Sequence, residues 1–221
     1  MLFMNNGFLV INNLFSTEET ELIRKHTIDY FRSGGGFRMP PGFAKPDWVS
    51  DPSLKEVRSI VESKKMENII SNIIGEKVDF VGHSDLHLNI RAGWHKDRLS
   101  GIAKDFEINN PWEKVGNETM KIYKIITYFQ DHTTNNDGLE IKIGSHLTEN
   151  MNFGENKRLK TNSGDAILFD QRITHRGGYS GGYNRISLTM GYGVKNLFFE
   201  QFEKGTKHRQ DTQNKNKNPG F

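Results

Sequence analysis

Apolar residues recur at three- and four-residue steps in the first third of the chain and then switch to alternation, so the pattern predicts helices followed by strands. Gly7-Phe8-Leu9-Val10-Ile11 reads as a first strand. Ser16-Thr17-Glu18-Glu19 follows, a serine with a glutamate three residues on, which is the signature of a capped helix start. That helix is expected to run to about Arg32, with Leu22, Ile23, Tyr30 and Phe31 on its apolar face and Gly34-Gly35-Gly36 ending it. A second helix is expected over 53–74, where Leu54, Val57, Ile60, Val61, Ile69, Ile70, Ile73 and Ile74 keep the helical step. Between the two, residues 37–52 are rich in Pro and Gly yet hold Phe37, Phe43 and Trp48, which suggests an ordered lid or lining. After Gly75 the period becomes two. Strands are expected at 78–83, 85–91, 120–130, 139–143, 166–171 and 183–192, with turn signals at Asn135-Asn136-Asp137-Gly138, Asn162-Ser163-Gly164-Asp165 and Gly181-Gly182. Helices packed on a run of antiparallel strands imply an α+β protein built on a double-sheet jelly roll. Residues 1–202 are expected to form one domain, and 203–221, Lys-, Asn- and Gln-rich, a polar surface tail.

Composition narrows the chemistry. The 221 residues carry 30 Lys plus Arg against 27 Asp plus Glu, and a net charge of +3 is too balanced to argue for a nucleic-acid partner. With no cysteine there is no disulfide and no thiolate metal site, so a bound metal must rest on His and oxygen ligands. The apolar amino terminus lacks an early Lys or Arg and a small-residue cleavage pattern, and no apolar run approaches the roughly 20 residues of a membrane-spanning helix. A soluble, cytoplasmic protein is expected.

Within Gly93-Trp94-His95-Lys96-Asp97 an imidazole and a carboxylate stand two residues apart, and on extended backbone both point to the same side. An HxD pair alone is common. Here a strand precedes it, and Gly164-Asp165-Ala166-Ile167-Leu168-Phe169-Asp170 leads to a second histidine, His175, with Arg185 further on. Two histidines and one carboxylate on one face of a metal is the ligand set that suits non-haem Fe(II). The run Arg185-Ile186-Ser187-Leu188-Thr189-Met190 alternates, placing Arg185, Ser187 and Thr189 on one face and Ile186, Leu188 and Met190 on the other. If the apolar face is core, the polar face lines a cavity, and an arginine there needs an anion: a dicarboxylate cosubstrate, or an internal Asp or Glu.

Taken in order, Trp94-His95-Lys96-Asp97, Tyr128-Phe129-Gln130-Asp131-His132-Thr133, Gly138-Leu139-Glu140-Ile141-Lys142-Ile143-Gly144-Ser145-His146, the 164–170 segment, His175 and Arg185 resemble the phytanoyl-CoA dioxygenase family, over nearly the whole chain to about residue 193. The resemblance implies a double-stranded β-helix, cupin-like, with the amino-terminal helices packed outside its major sheet. It also implies use of Fe(II), 2-oxoglutarate and O₂, with His95, Asp97 and His175 as iron ligands and Arg185 on the distal carboxylate of 2-oxoglutarate. Asn89 matches a family position that often helps to bind the cosubstrate. Strand alternation adds Ser187, Thr127 and Tyr123 as candidate cosubstrate contacts. Two positions depart from the family: Ile143 stands where proline often precedes Gly-Ser-His, and Gly177 where some members carry a hydroxyl. Because Asp97 is present where related halogenases have a small residue, the resemblance favours hydroxylation over halogenation, with desaturation or ring closure, which begin with the same hydrogen abstraction, left open. A small-molecule substrate is expected.

The rim of the site is expected in 37–52, in 98–119 with Phe106 and Trp112, and in 147–162 with Met151, Phe153, Lys157, Arg158 and Lys160. Lys96, Arg98 and Arg91 nearby suit an anionic substrate, or are ordinary solvated surface. Two other classes stay open: a hydroxylase of nucleic acid or protein using the basic 157–160 cluster and the tail, and a non-catalytic cupin-like binding module.

Overall fold

The computed structural model describes residues 2–98, 101–133, 138–178 and 185–216. The turns expected at 135–137 and 181–182, and the start of the strand expected from 183, lie outside the described residues.

Among the described residues, ten strands form two sheets. In chain order they are β1 (Phe8–Ile11), β2 (Phe37–Met39), β3 (Gly42–Pro46), β4 (Asp79–Leu88), β5 (Ile122–Tyr128), β6 (Glu140–Lys142), β7 (Asn156–Arg158), β8 (Ala166–Asp170), β9 (His175–Arg176) and β10 (Ile186–Gly193). The helices are α1 (Leu2–Asn6), α2 (Thr17–Arg32), α3 (Lys55–Ile60), α4 (Ser63–Ile74) and α5 (Leu197–Asn216). The major sheet runs β1-β8-β5-β10-β4-β3-β2, the minor sheet β7-β6-β9, and every pairing is antiparallel. This is a double-stranded β-helix.

The two faces of the major sheet bury different cores. Its outer face, with Leu86, Leu88, Ile125, Leu168, Leu188 and Met190, packs on Ile23 and Phe31 of α2, Val57 of α3 and Met66 and Ile70 of α4. Its inner face brings Phe8, Ile167, Phe169 and Tyr128 against Leu139 and Ile141 of the minor-sheet side. The α2 start is a capping box: Ser16 accepts from the Glu19 backbone N–H, and the Glu19 carboxylate accepts from the Ser16 N–H.

Four expectations change. Residues 2–6 form a short helix ahead of the first strand. The 53–74 helix is two helices broken at Val61, a residue that turns into the core. Residues 78–91 hold one strand, β4, bulged against β10: Met190 faces Ser84 but Tyr192 faces Phe80. Gly82 takes up the irregularity at φ +77°, backbone that side-chain-bearing residues rarely adopt. The 37–52 segment is no lid. Its β2–β3 hairpin extends the major sheet, and Trp48, fully buried, joins the outer core.

The expected polar tail is also different through residue 216, since α5 continues over it. Phe198, Phe199 and Phe202 pack with Val81, Ala103 and Ile122, while Thr206, Gln210 and Gln213 are buried further along. Polar side chains anchor this helix. Arg209 pairs with Asp85 at 2.8 Å and Gln210 donates to the carbonyl of Gly82. Residues 217–221 lie outside the described residues. No helix among the described residues is long and apolar enough to cross a membrane.

Candidate active site

The HxD turn crosses to the end of β9 and is fixed there by backbone pairing. His95 N–H donates to the carbonyl of His175 at 3.0 Å and His175 N–H donates back at 2.9 Å, which sets the two rings with centroids 4.3 Å apart. Lys96, expected at the rim, points inward. Its ammonium donates to the carbonyls of Ser145 and Arg172, clamping the turn onto the minor-sheet side. Gln171 donates to the carbonyl of Asp97. Ser145, in the Gly-Ser-His motif, accepts from Thr174 N–H and donates to the carbonyl of Lys142, so that motif is a structural tie under His175.

These ties bring His95, Asp97 and His175 into one cluster whose ligand atoms all lie within 4.8 Å of one another. Each histidine turns Nδ1 to a backbone carbonyl, Gly93 at 2.7 Å and Ile173 at 3.1 Å. That contact selects the tautomer with the proton on Nδ1 and leaves an Nε2 lone pair facing the cluster, the arrangement of a metal-ligating imidazole. The two Nε2 atoms stand 3.5 and 3.6 Å from the oxygens of Asp97. Such gaps are wide for a hydrogen bond but are spanned by two metal–ligand bonds of about 2.1 Å. The donor set therefore fits a divalent ion of the iron type.

The electrostatics agree with the geometry. Burial pushes His175 down to about 4, outweighing the pull of Asp97, so the ring is neutral near pH 7. For Asp97, burial works to raise the carboxyl, but Lys124 foremost, then His175 and His95, hold it well below the usual carboxylate range. For His95, burial pulls down and the contact with Asp97 wins, raising it above the ordinary imidazole value.

Behind the cluster lies a cavity that opens to solvent. Asp85 and His87 of β4, Lys124 and Tyr128 of β5, and Arg185 and Ser187 at β10 line it. The expected alternation of β10 holds, for Arg185, Ser187 and Thr189 face the cavity while Ile186, Leu188 and Met190 face the outer core. Arg185, 9% exposed, donates to the carbonyl of Ile90 at 2.7 Å and to the hydroxyl of Tyr128 at 3.0 Å. Among the described residues no carboxylate lies within ion-pair distance of it, so the alternative of an internal Asp or Glu partner is not met. At Gly177 an added Cβ would lie 3.5 Å from the Arg185 guanidinium, so a family hydroxyl there would reach the same pocket.

Three expected cosubstrate contacts are placed elsewhere. Tyr123 and Thr127 lie on the opposite face of β5 from Lys124, Ile126 and Tyr128, and Tyr123 packs edge-on to Phe3 in the outer core. Asn89 sits at φ +62° just past β4, where it accepts from the backbone N–H of Arg185 and donates its own N–H to the Arg185 carbonyl. Its side chain holds the arginine's main chain; it does not line the cavity. Of the expected rim, Trp112 lies against Lys96 and Arg98 and donates to the carbonyl of His146, Arg98 pairs with Glu107 and Glu149, and Arg158 pairs with Glu140. Met151 and Phe153 are exposed.

The residue missed from sequence is Lys124. It is 7% exposed, lines the cavity and places its ammonium 3.0 Å from Asp97 Oδ2. A lysine inside the apolar run Ile122-Tyr123-Lys124-Ile125-Ile126 was a signal, since lysine is almost never buried unless paired.

No protein-family model matches the sequence, and no curated protein matches it. Solved structures share the fold. AviO1 from Streptomyces viridochromogenes Tue57 superposes with a TM-score of 0.66 at 15% identity, covering 87% of this chain and 92% of that one. HygX from Streptomyces hygroscopicus, solved with nickel and 2-oxoglutarate bound, gives 0.62 at 15% identity over 87% and 85%. EctD from S. alaskensis, with 2-oxoglutarate and 5-hydroxyectoine, gives 0.62 at 16% identity over 87% and 74%. At such identities the likeness is one of fold, and what it establishes for this chain is the double-stranded β-helix, the scaffold on which two of those proteins hold 2-oxoglutarate.

Proposed function

We propose that the chain is an Fe(II)- and 2-oxoglutarate-dependent oxygenase acting on a small molecule, with hydroxylation of an unactivated C–H bond as its reaction. The observation that carries this reading is the pairing of a His-Asp-His cluster with a buried guanidinium that, among the described residues, has only neutral partners, both facing one cavity. A buried cation left without a counter-charge is costly, and a ligand carboxylate is the partner that removes the cost. The resemblance to the phytanoyl-CoA dioxygenase family supports the same residues in the same roles. The structural neighbours share the scaffold rather than assigned residues; among them are HygX, solved with hygromycin B bound, and SnoN, a non-haem, α-ketoglutarate-dependent epimerase of nogalamycin biosynthesis.

In this reading His95, Asp97 and His175 would hold the iron beside the cavity. Iron, 2-oxoglutarate and O₂ together supply an oxidant that takes hydrogen from a C–H bond, with release of CO₂ and succinate. The protein's part is placement. Arg185, with the Tyr128 hydroxyl beside it, receives the distal carboxylate of the cosubstrate in a charge-assisted contact and fixes its direction toward the metal. Asn89 supports that direction by pinning the Arg185 backbone from both sides. Phe169, in contact with the His175 ring, and Ile126 from the major sheet, with Leu139 from the minor-sheet side, give the cavity an apolar lining beside the cluster.

Anaerobic titration of metal-free protein with Fe(II) and then 2-oxoglutarate tests this. The wild type is expected to develop the weak visible charge-transfer band of an iron–keto-acid chelate, and folded Asp97→Ala is not. Iron binding that is the same in both, or no band with iron bound, would sink the reading.

A further inference from the structure

The Lys124–Asp97 contact is unusual for a place that awaits a dication. A strand-borne lysine, nearly without solvent, spends its charge on the same carboxylate that the ion needs. Among the described residues Asp97 is its ion-pair partner, since the other cavity carboxylate, Asp85, is held from outside by Arg209 at 2.8 Å and His83 at 3.2 Å. Lys124 cannot easily leave. Its backbone is locked between β10 and β8 by pairing with Gly191 and Phe169, and its side chain has the cavity as its exit.

We propose that Lys124 is a resident counter-cation that couples metal loading to cosubstrate binding, so that the ion is held firmly only once the dianionic 2-oxoglutarate is in place. The inference rests on His95, Asp97 and His175 being the metal ligands. Before loading, the charges of Asp97 and Lys124 offset each other. A dication entering alone therefore adds two uncompensated positive charges to a buried site that already holds the Arg185 guanidinium, and in low-dielectric surroundings that is unfavourable. A dianionic cosubstrate restores the balance, with one carboxylate at Arg185 and the other end at the metal, near Lys124. If the lysine were neutral, Asp97 would offset half of the ion's charge by itself, and the ion would depend less on the cosubstrate. The coupling is reciprocal, so the same lysine strengthens cosubstrate binding to the loaded protein.

Lys124 is in this sense a positioning residue, and binding, not turnover, reports its role. Metal-free wild type, Lys124→Met and Lys124→Arg are titrated with Co(II), each with and without saturating 2-oxoglutarate, after thermal melts establish that the variants fold. Lys124→Met is expected to bind Co(II) alone about tenfold more tightly than the wild type, and its gain in affinity on adding 2-oxoglutarate to shrink by about the same factor. Lys124→Arg, which keeps the charge, is expected to stay with the wild type on both measures. Weaker or unchanged Co(II) binding by Lys124→Met, or an unchanged gain, would overturn the proposal and leave the lysine a structural ion pair. Lys124→Gln, which keeps a donor to Asp97 without the charge, carries the same comparison if the methionine variant does not fold. A wild type that binds no Co(II) at all would instead remove the metal-site reading on which the proposal rests.

Discussion

Arg185 and Lys124 are both buried cations on the inner face of the major sheet, yet one was legible in the sequence and the other was not. Arg185 directly precedes a strand, β10, whose first residues alternate between apolar and polar, so its face could be assigned from parity. Lys124 belongs to β5, which is buried on both sides and carries apolar residues at both parities, and there alternation is silent. The parity chosen from sequence put Tyr123 and Thr127 in the cavity; pairing of Thr127 with Leu188 and Ala166 shows that they share the outer, helix-covered face. Asn89, expected from the resemblance to help bind the cosubstrate, holds the Arg185 main chain from a positive φ just past a strand end, a local backbone fact that residue type only hints at. Arg185→Gln removes the guanidinium charge and leaves Tyr128 and the metal cluster in place. The 2-oxoglutarate concentration needed for half-maximal binding to the metal-loaded variant is expected to rise about tenfold to a hundredfold, with metal affinity in the absence of cosubstrate not weakened. A cosubstrate affinity equal to that of the wild type would move the carboxylate contact to another residue.

Among the elements, those with a self-contained signal were found and those that depend on a partner were not. Helix α2 carries its own capping box and stop, and its observed span matches the expected one to within a residue. The β2–β3 hairpin has no such signature. Its Pro-, Gly- and aromatic-rich sequence becomes strand only because β4 offers an unpaired edge to β3, and because Trp48 beyond it finds a place among Leu86, Leu88 and the helices. Trp48→Ala is expected to cost about 3–5 kcal/mol in denaturant unfolding, the range for deleting a buried indole, and a loss under 1 kcal/mol would show that the segment is only loosely attached. Helix α5 was missed for a related reason: its apolar residues are confined to the first two turns, and the rest is held by polar contacts to β4 that no hydrophobic period reports.

At the scale of the whole molecule, α5, β4 and β5 together bury a second titratable group behind the cavity. His83 is pressed down to about 4, by burial first and by Lys124, against the raising influence of Asp85. In the unfolded chain an imidazole titrates near 6.5. Between those values the unfolded chain takes up a proton that the folded protein refuses, so stability is full above about 6.5 and falls as pH drops toward about 4. For one group shifted so far the loss is about 3 kcal/mol. His175 in the metal-free protein has the same sign over the same window. The melting temperature of metal-free protein is therefore expected to decline from pH 7 to pH 4.5, and His83→Gln to decline less steeply. Equal slopes in the two would mean that the buried ring is already protonated.

The sequence by itself determined the class of fold and the capped first helix, which rest on helical step and strand parity, and offered His95, Asp97, His175 and Arg185 as candidates through a two-residue spacing, strand parity and an ordered resemblance. Tertiary structure decided the rest. Which face of the doubly buried β5 meets the cavity, whether residues 37–46 form strand, and what a polar carboxy-terminal segment packs against all depend on neighbours far away in the chain. So does the placing of Lys124 beside Asp97, two charges that stand far apart in the chain and that only the closing of the sheets brings within 3.0 Å.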